Sequence, residues 1–211
     1  MTQVTGAREP RLGIDIGRVV IDGPSHPGGD TAFFSGDEAT MLATPEMAGC
    51  AAAVARLAEL FGGRVWLVSK CGPRVQARTL RWLDAHDFWA RAGVPPGHAR
   101  FCRERREKRG HCEELGLTHF IDDHPDVHAA IRGAVDYQYF FGPQRAPVPP
   151  YGIHVPAWAD VLAVVPGTVT EPPPGARPGP RAGPGARFAR PAGRAKPCRG
   201  PCHAGGLRPR P

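Results

Sequence analysis

Short apolar segments alternate with segments of helical spacing along the first 166 residues, and this alternation limits the fold more than any other feature. Five apolar segments have the length of β-strands: residues 11–17, 64–69, 98–102, 118–122 and 135–142. A segment whose apolar positions recur every three or four places follows each of them. Strands that alternate with helices predict a three-layer α/β/α sandwich with a mainly parallel, Rossmann-like sheet.

The segments between these strands predict helices and one long loop. Thr44 is expected to be the N-cap of the first helix, with Pro45 in its first turn, and Gly62–Gly63 is expected to end it. Residues 23–45 are rich in Gly, Pro, Asp, Ser and Thr, and they predict a long loop. The other expected helices are residues 73–86, 107–115, 125–131 and 156–165.

The C-terminal residues differ in composition from the rest of the chain. Residues 167–211 contain 11 Pro, 9 Gly, nine Lys or Arg and one acidic residue. They hold too few large apolar side chains to offset the entropy of ordering, so we expect a disordered basic tail after a domain of residues 1–166. That domain has 18 basic and 19 acidic side chains, so its charge does not indicate nucleic-acid binding. The tail either steers a polyanion such as nucleic acid or is inert low-complexity sequence.

Nothing in the sequence predicts export or membrane insertion. The six cysteines have no disulfide-framework spacing, and the N-terminal residues do not resemble a signal peptide. No apolar run approaches the ~20 residues that span a bilayer. We therefore expect a cytoplasmic protein with no membrane partner.

Polar residues stand at the ends of four expected strands. They are Asp15, Ser69, the residues after Cys102, and Asp122–Asp123. A single acid at a strand end is usually a cap or a turn residue. In an open parallel sheet, however, ligands bind beyond the carboxyl ends of the strands, and four such features in the matching positions indicate a site there.

These residues resemble the motifs of the haloacid dehalogenase-like superfamily, most of whose members are Mg²⁺-dependent phosphatases. The resemblance covers residues 11 to about 142. Its pieces are Asp15 in "DIGRVV", Ser69 in "WLVSKCG", Lys108 in "RREKRGHC", and Asp122 with Asp123 in "FIDDHPDV". Each piece is weak alone, but their order, spacing and strand context together favour this fold.

The resemblance implies a role for each residue. Asp15 would attack phosphorus to form an aspartyl-phosphate that water then hydrolyses. Ser69 and Lys108 would bind the phosphoryl oxygens. Mg²⁺ would be held by Asp15, Asp122, Asp123 and the backbone carbonyl of Gly17, and it would offset the repulsion between two anions. Asp126 would lie next to these ligands, in the layer of residues that surrounds them.

Structural interpretations of the same residues remain open at this point. Ser69 could cap the helix that follows Pro73. Asp123 and Asp126 could be first-turn acids that the helix dipole favours. Lys108 lies in the mixed run "RERREKRG", where the four arginines are expected to form a solvated face: Arg103, Arg105, Arg106 and Arg109.

Gly17 departs from the family pattern, which has a second aspartate at this position as general acid and base. Glycine retains the backbone carbonyl for the metal but has no side chain that can donate a proton. General acid catalysis by such a side chain typically contributes 10²–10⁴ in rate. We expect weakened activity and a preference for aryl or acyl phosphates over alkyl phosphates. Another residue of the following loop could supply the proton: Asp22, His26, Asp30 or Asp37.

Residues 23–45 stand where members of this superfamily carry a cap, and they are too few for a cap domain. The resemblance therefore implies a small-cap or capless enzyme with an open site that admits a bulky phosphorylated substrate. The alternative is a catalytically inactive protein of the same fold, which binds a phosphorylated ligand or a protein partner.

Overall fold

The structure is a computed structural model that describes residues 8–170. Its centre is a six-stranded sheet in which all neighbouring strands are parallel, in the order β3-β2-β1-β4-β5-β6. The strands are β1 (Leu12–Ile14), β2 (Val65–Lys70), β3 (Ala99–Cys102), β4 (His119–Asp122), β5 (Tyr137–Phe141) and β6 (Ile153–Val155). The predicted three-layer α/β/α sandwich is confirmed, with β6 as a strand that the sequence did not reveal.

Eight α-helices lie in the described part of the chain. They are α1 (Gly29–Ser35), α2 (Glu38–Leu42), α3 (Cys50–Leu60), α4 (Pro73–Ala85), α5 (Phe88–Ala92), α6 (Lys108–Leu115), α7 (Pro125–Ile131) and α8 (Trp158–Thr170). None of them is long and apolar enough to cross a membrane. The helices expected at residues 73–86, 107–115 and 125–131 are confirmed, whereas α5 was not expected.

The four inner strands, β2, β1, β4 and β5, are mostly buried on both faces, which explains their continuous apolar sequence. In β2, Val65 and Leu67 join the larger core cluster with α3, while Trp66 and Val68 join the smaller cluster with α6 and α7. Close packing also explains the glycine inside β1. A Cβ atom on Gly13 would lie 2.5 Å from the ring of Phe120 in the neighbouring strand.

The expected helix start at Thr44 and Pro45 is wrong. Residues 45–47 are extended and bond to residues 20–22, with hydrogen bonds of 2.9 Å from Asp22 N to Pro45 O and 2.8 Å from Met47 N to Val20 O. The helix, α3, begins only at Cys50. Pairing with a segment distant in sequence satisfies these backbone groups and overrides the local capping signal.

The expected loop at residues 23–45 contains two short helices, α1 and α2, so the expectation of a plain loop is also wrong. The far end of the chain differs too, because α8 continues to Thr170, four residues past the expected domain end. The rest of the basic C-terminal segment lies outside the described residues, and its proposed disorder and polyanion contacts stay predictions.

Candidate active site

A cavity of about 390 Å³ lies at the carboxyl-terminal edge of the sheet. Asp15 directly follows β1, Ser69 is the next-to-last residue of β2, and Asp122 ends β4. Because β1 pairs with both β2 and β4, these side chains meet at one edge. Asp123 and Gly17 line the same cavity. The structure thus brings together the strand-end residues that the sequence singles out.

Lys108 reaches this cavity from the first turn of α6. Its side chain is almost fully buried. The ammonium donates hydrogen bonds to Oδ1 of Asp15 at 2.6 Å and to Oδ2 of Asp122 at 2.7 Å. Lys108 therefore bridges the carboxyl ends of two adjacent strands and does not belong to a solvated face.

The turn before α6 separates Lys108 from most of its basic neighbours. A capping box between Glu104 and Glu107 fixes this turn. Arg106 pairs with Glu104 at the surface, and Arg109 forms an exposed ion pair on the helix. All four arginines of this run are exposed, as expected of a solvated face, and Arg105 also lines the cavity.

Three carboxylates share this cavity with the Lys108 ammonium. Oxygen atoms of Asp15, Asp122 and Asp123 lie within 4.8 Å of one another. Burial raises the pKa of Asp15 to about 7, and Lys108 only partly opposes the rise. Burial, reinforced by the Asp122 charge, raises the pKa of Asp123 to about 6. Burial acts to lower the Lys108 pKa, but Asp122 and Asp15 outweigh it and hold that pKa above its ordinary value of 10.5.

This donor set fits a divalent cation. The three carboxylates offer the hard oxygen ligands that Mg²⁺ prefers, and a single ammonium does not balance their charge. The raised pKa values of Asp15 and Asp123 agree with this excess of negative charge. Both groups are buried beside other carboxylates, so ionising either one adds negative charge to the cluster. The Gly17 carbonyl belongs to a residue that lines the same cavity.

A network of hydrogen bonds supports Asp122. The backbone N–H of His124 donates to Oδ1 of Asp122 at 2.8 Å, which leaves Oδ2 for Lys108. Nε2 of His128, on α7, lies 3.0 Å from the Asp122 carbonyl oxygen, and Nδ1 lies 3.1 Å from Oε1 of Gln138. Sequence reasoning missed this network because its members are distributed over three elements.

The structure removes two of the open structural interpretations. Ser69 does not cap α4, whose N-cap is Gly72 and makes no side-chain bond. Lys108 is buried rather than solvated. The expectation that Asp126 lies near the metal ligands is not met, because its side chain is 71% exposed and lies 3.6 Å from the ring of His124, outside the residues that line the cavity.

Three of the four alternative proton donors are engaged away from the cavity. Asp22 accepts from the N–H of Ser25, and Asp37 from that of Thr40 at the start of α2. His26 accepts through Nδ1 from the N–H of Gly28. Asp30 does line the cavity, but Oδ2 of its carboxylate already accepts hydrogen bonds from Arg18.

Gly17 faces open space in the cavity. A Cβ atom built on it would meet no atom within 4 Å. The residue is exposed, and no positive backbone φ restricts it to glycine. An aspartate therefore fits at this position without a clash, so packing does not explain its absence.

Sequence reasoning also missed the side chains that surround the carboxylates. Arg18 lines the cavity on one side, and Phe33 and Phe34 line it from α1. The Phe33–Phe34 pair is visible in the sequence inside the expected loop, but its position there does not predict a place in the cavity.

A parallel sheet in this strand order, with a carboxylate cluster beyond β1 and β4, defines a haloacid dehalogenase-like fold. Among solved structures, the chain is similar to the crystal structure of a haloacid dehalogenase-like family hydrolase from Xanthomonas campestris. The two are 14% identical, with a TM-score of 0.54, and the match covers 76% of this chain and 96% of that chain. No protein-family model matches the sequence, and no curated protein does. The similarity shows the fold.

Proposed function

We propose that this protein is a Mg²⁺-dependent phosphoric ester hydrolase that works through an aspartyl-phosphate on Asp15. One observation carries the proposal. A buried ammonium, that of Lys108, bridges Asp15 and Asp122 at the carboxyl edge of the sheet, and the Asp123 carboxylate shares the same cavity. A nucleophilic carboxylate beside a cation and further metal-type ligands is the set that phosphoryl transfer requires.

Asp15, Asp122, Asp123 and the carbonyl of Gly17 would hold the metal. When bound, Mg²⁺ would offset the buried negative charge and polarise the phosphoryl oxygens. The fit rests on the buried carboxylate oxygens, which lie within 4.8 Å of one another.

The chain's own residues would position both reactants. Lys108 holds Oδ1 of Asp15, which fixes the orientation of the nucleophile. A carboxylate oxygen of Asp15 attacks phosphorus, the ester P–O bond breaks, and water later cleaves the acyl-phosphate bond. The Ser69 hydroxyl, at the same strand edge, would orient the phosphoryl oxygens.

Gly17 would restrict the leaving groups. No side chain at this position donates a proton, and Asp30 is held by Arg18. Groups that depart readily as anions, such as aryl and acyl phosphates, would react faster than alkyl esters.

A second candidate is a protein of the same fold that binds a phosphorylated ligand without turnover. Gly17 favours it, because an aspartate would fit at this position and is not there. In that case Mg²⁺ and phosphate still bind, but no aspartyl-phosphate forms.

Hydrolysis of p-nitrophenyl phosphate tests the two candidates. We expect Mg²⁺-dependent release of p-nitrophenol by the wild-type protein and none above background by Asp15→Asn. The matched control is Asp126→Asn, an exposed aspartate outside the cavity, which should behave as wild type. Mg²⁺ binding by calorimetry without turnover would favour the second candidate, and turnover that survives Asp15→Asn would refute the aspartyl-phosphate.

A further inference from the structure

We propose that Arg18 and Phe34 form a leaving-group subsite for a planar aromatic ring whose oxygen departs as an anion. This inference rests on the proposed hydrolysis through Asp15 and narrows its substrate class to aryl phosphates.

The backbone of Arg18 is held in an unusual conformation beside the reacting atoms. Its φ is +61°, a left-handed value that costs free energy in a residue other than glycine. The guanidinium donates to Oδ2 of Asp30 from Nε at 3.0 Å and from a second nitrogen, which ties it to α1. Both partners of this ion pair line the cavity, so the Arg18 charge is held there.

Arg18 lines the same cavity as the three carboxylates of the cluster. Its guanidinium can therefore stabilise another anion that forms in this cavity. Because its pKa is far above neutrality, it contributes charge and hydrogen bonds rather than a proton.

Several of the residues that line the same cavity as Arg18 are apolar, and two are aromatic. They include Ile21, Phe33, Phe34 and Val75. The ring of Phe34 is 46% exposed and meets Phe33 edge to face, with centroids 5.9 Å apart. Phe33 is buried and fixes its neighbour, so the free part of the Phe34 ring remains available to a second ring.

Gly17 supplies the room and the chemical reason for an aromatic group. Open space lies in front of this residue, next in sequence to Arg18. Because residue 17 offers no proton donor, the leaving oxygen must depart unprotonated, as an anion. A phenol has a pKa of about 10, whereas that of water, and of similar alcohols, is about 15.7. The positive charge of a guanidinium is enough to stabilise a weakly basic phenolate. It is not enough for an alkoxide, which is far more basic and has to be protonated as it leaves.

The step balances without a further reactant. A bond forms from a carboxylate oxygen of Asp15 to phosphorus, and the P–O bond to the ring oxygen breaks. Its electron pair stays on that oxygen, which leaves as an aryloxide beside Arg18 and later takes a proton from water.

Ring-substituted phenyl phosphates test the role of Arg18. A plot of log kcat/KM against the pKa of the leaving phenol should have a steeper negative slope in Arg18→Gln than in the wild type. The matched control is Arg81→Gln, because Arg81 also forms an ion pair with a short helix of this segment, through Glu38 of α2, but lies outside the cavity. An unchanged slope in Arg18→Gln, or the same change in Arg81→Gln, would overturn the role of Arg18.

The role of Phe34 is tested by comparing two replacements and two substrates. Phe34→Leu keeps an apolar side chain without a ring, and Phe34→Tyr keeps the ring. We expect Phe34→Leu to raise the ratio of KM for p-nitrophenyl phosphate to KM for acetyl phosphate by about two- to tenfold, in line with one aromatic contact. Phe34→Tyr should preserve the wild-type ratio. An equal change for both substrates in Phe34→Leu would refute a ring contact.

Binding separates this proposal from the proposed hydrolysis. In the presence of Mg²⁺, the wild-type protein should bind phenylphosphonate several-fold more tightly than methylphosphonate, and Phe34→Leu should remove the difference. Neither compound has an ester bond, so this preference does not require turnover. Tighter binding of phenylphosphonate by a protein that hydrolyses no phosphate ester would refute the proposed activity but support the subsite. Equal binding of both compounds would refute the subsite alone.

Discussion

The ammonium of Lys108 lies 2.6 Å from Oδ1 of Asp15, although the two residues are 93 positions apart in the sequence. Both side chains are buried, and the same ammonium contacts Asp122. Taking such charges out of water is costly, and their attraction repays the cost only while all partners are present. The cluster is therefore weak evidence for stability, and its place at the strand edge is the basis of the proposed active site.

Removing the cation from this cluster should lower both activity and stability. In Lys108→Met, two buried carboxylates lose their counter-charge, so we expect no detectable hydrolysis and a loss of about 3–5 kcal/mol in the free energy of unfolding at pH 8. Urea unfolding and p-nitrophenyl phosphate assays measure these effects. Arg106→Gln, at an exposed ion pair, is the control and should change stability by less than about 1 kcal/mol. A similar loss in both variants would contradict a special role for the buried cation.

In the metal-free protein, Asp15 should cost stability as the pH rises from about 4 to about 7. Its folded-state pKa is about 7, above its ordinary value of 3.8, so this group binds more protons in the native state than in the unfolded state. Asp123, with a pKa of about 6, acts in the same direction, whereas buried His119, with a pKa lowered to about 4, acts in the opposite direction. Thermal melts at several pH values therefore compare the wild type with Asp15→Asn. The melting temperature of the variant should rise relative to that of the wild type across this range, and a constant difference would contradict the assignment.

Magnesium should reverse this loss. Because Mg²⁺ binds the ionised carboxylates, it should raise the melting temperature more at pH 8 than at pH 5. Asp122→Asn should weaken this shift, and exposed Asp126→Asn should leave it unchanged. An equal shift at both pH values would argue against binding at the titrating carboxylates.

Gly17→Asp should increase hydrolysis of alkyl phosphates. The new side chain enters open space and offers the proton that the cavity lacks. We expect a rise of about 10²-fold in kcat for an alkyl monoester, at the lower end of what general acid catalysis contributes, and a smaller change for p-nitrophenyl phosphate. Gly17→Asn has nearly the same size and no acidic proton, so it should give no such rise. An equal gain in both variants would point to packing rather than proton transfer.

One face of α4 holds residues 29–44 through side-chain hydrogen bonds to their backbone. Arg78 donates to the carbonyl oxygens of Phe33 at 2.7 Å and Gly36 at 2.8 Å, and Trp82 donates to that of Thr44 at 2.8 Å. Arg78→Ala should cost about 1–3 kcal/mol of stability and speed amide exchange in this segment. Exposed Arg74, on the same helix, provides the control, and unchanged exchange in Arg78→Ala would contradict the anchoring.

The sequence alone determined the layers of the fold and the carboxylate cluster. Apolar runs of strand length are local signals, and parallel strands necessarily place their carboxyl ends on one edge. Asp15, Ser69 and Asp122 could therefore be assigned to one site before any contact was known. Lys108 could be assigned to the site only through the family resemblance. The basic run around it predicted a solvated face equally well.

Only the tertiary structure decided what surrounds that cluster. The extended course of residues 45–47 depends on backbone partners at residues 20–22, and the placement of Arg18 depends on Asp30 across a turn. The approach of His128 to the Asp122 carbonyl depends on how α7 packs against the sheet. Each is a contact between elements, and its free energy comes from burial and pairing that no local pattern of residues encodes.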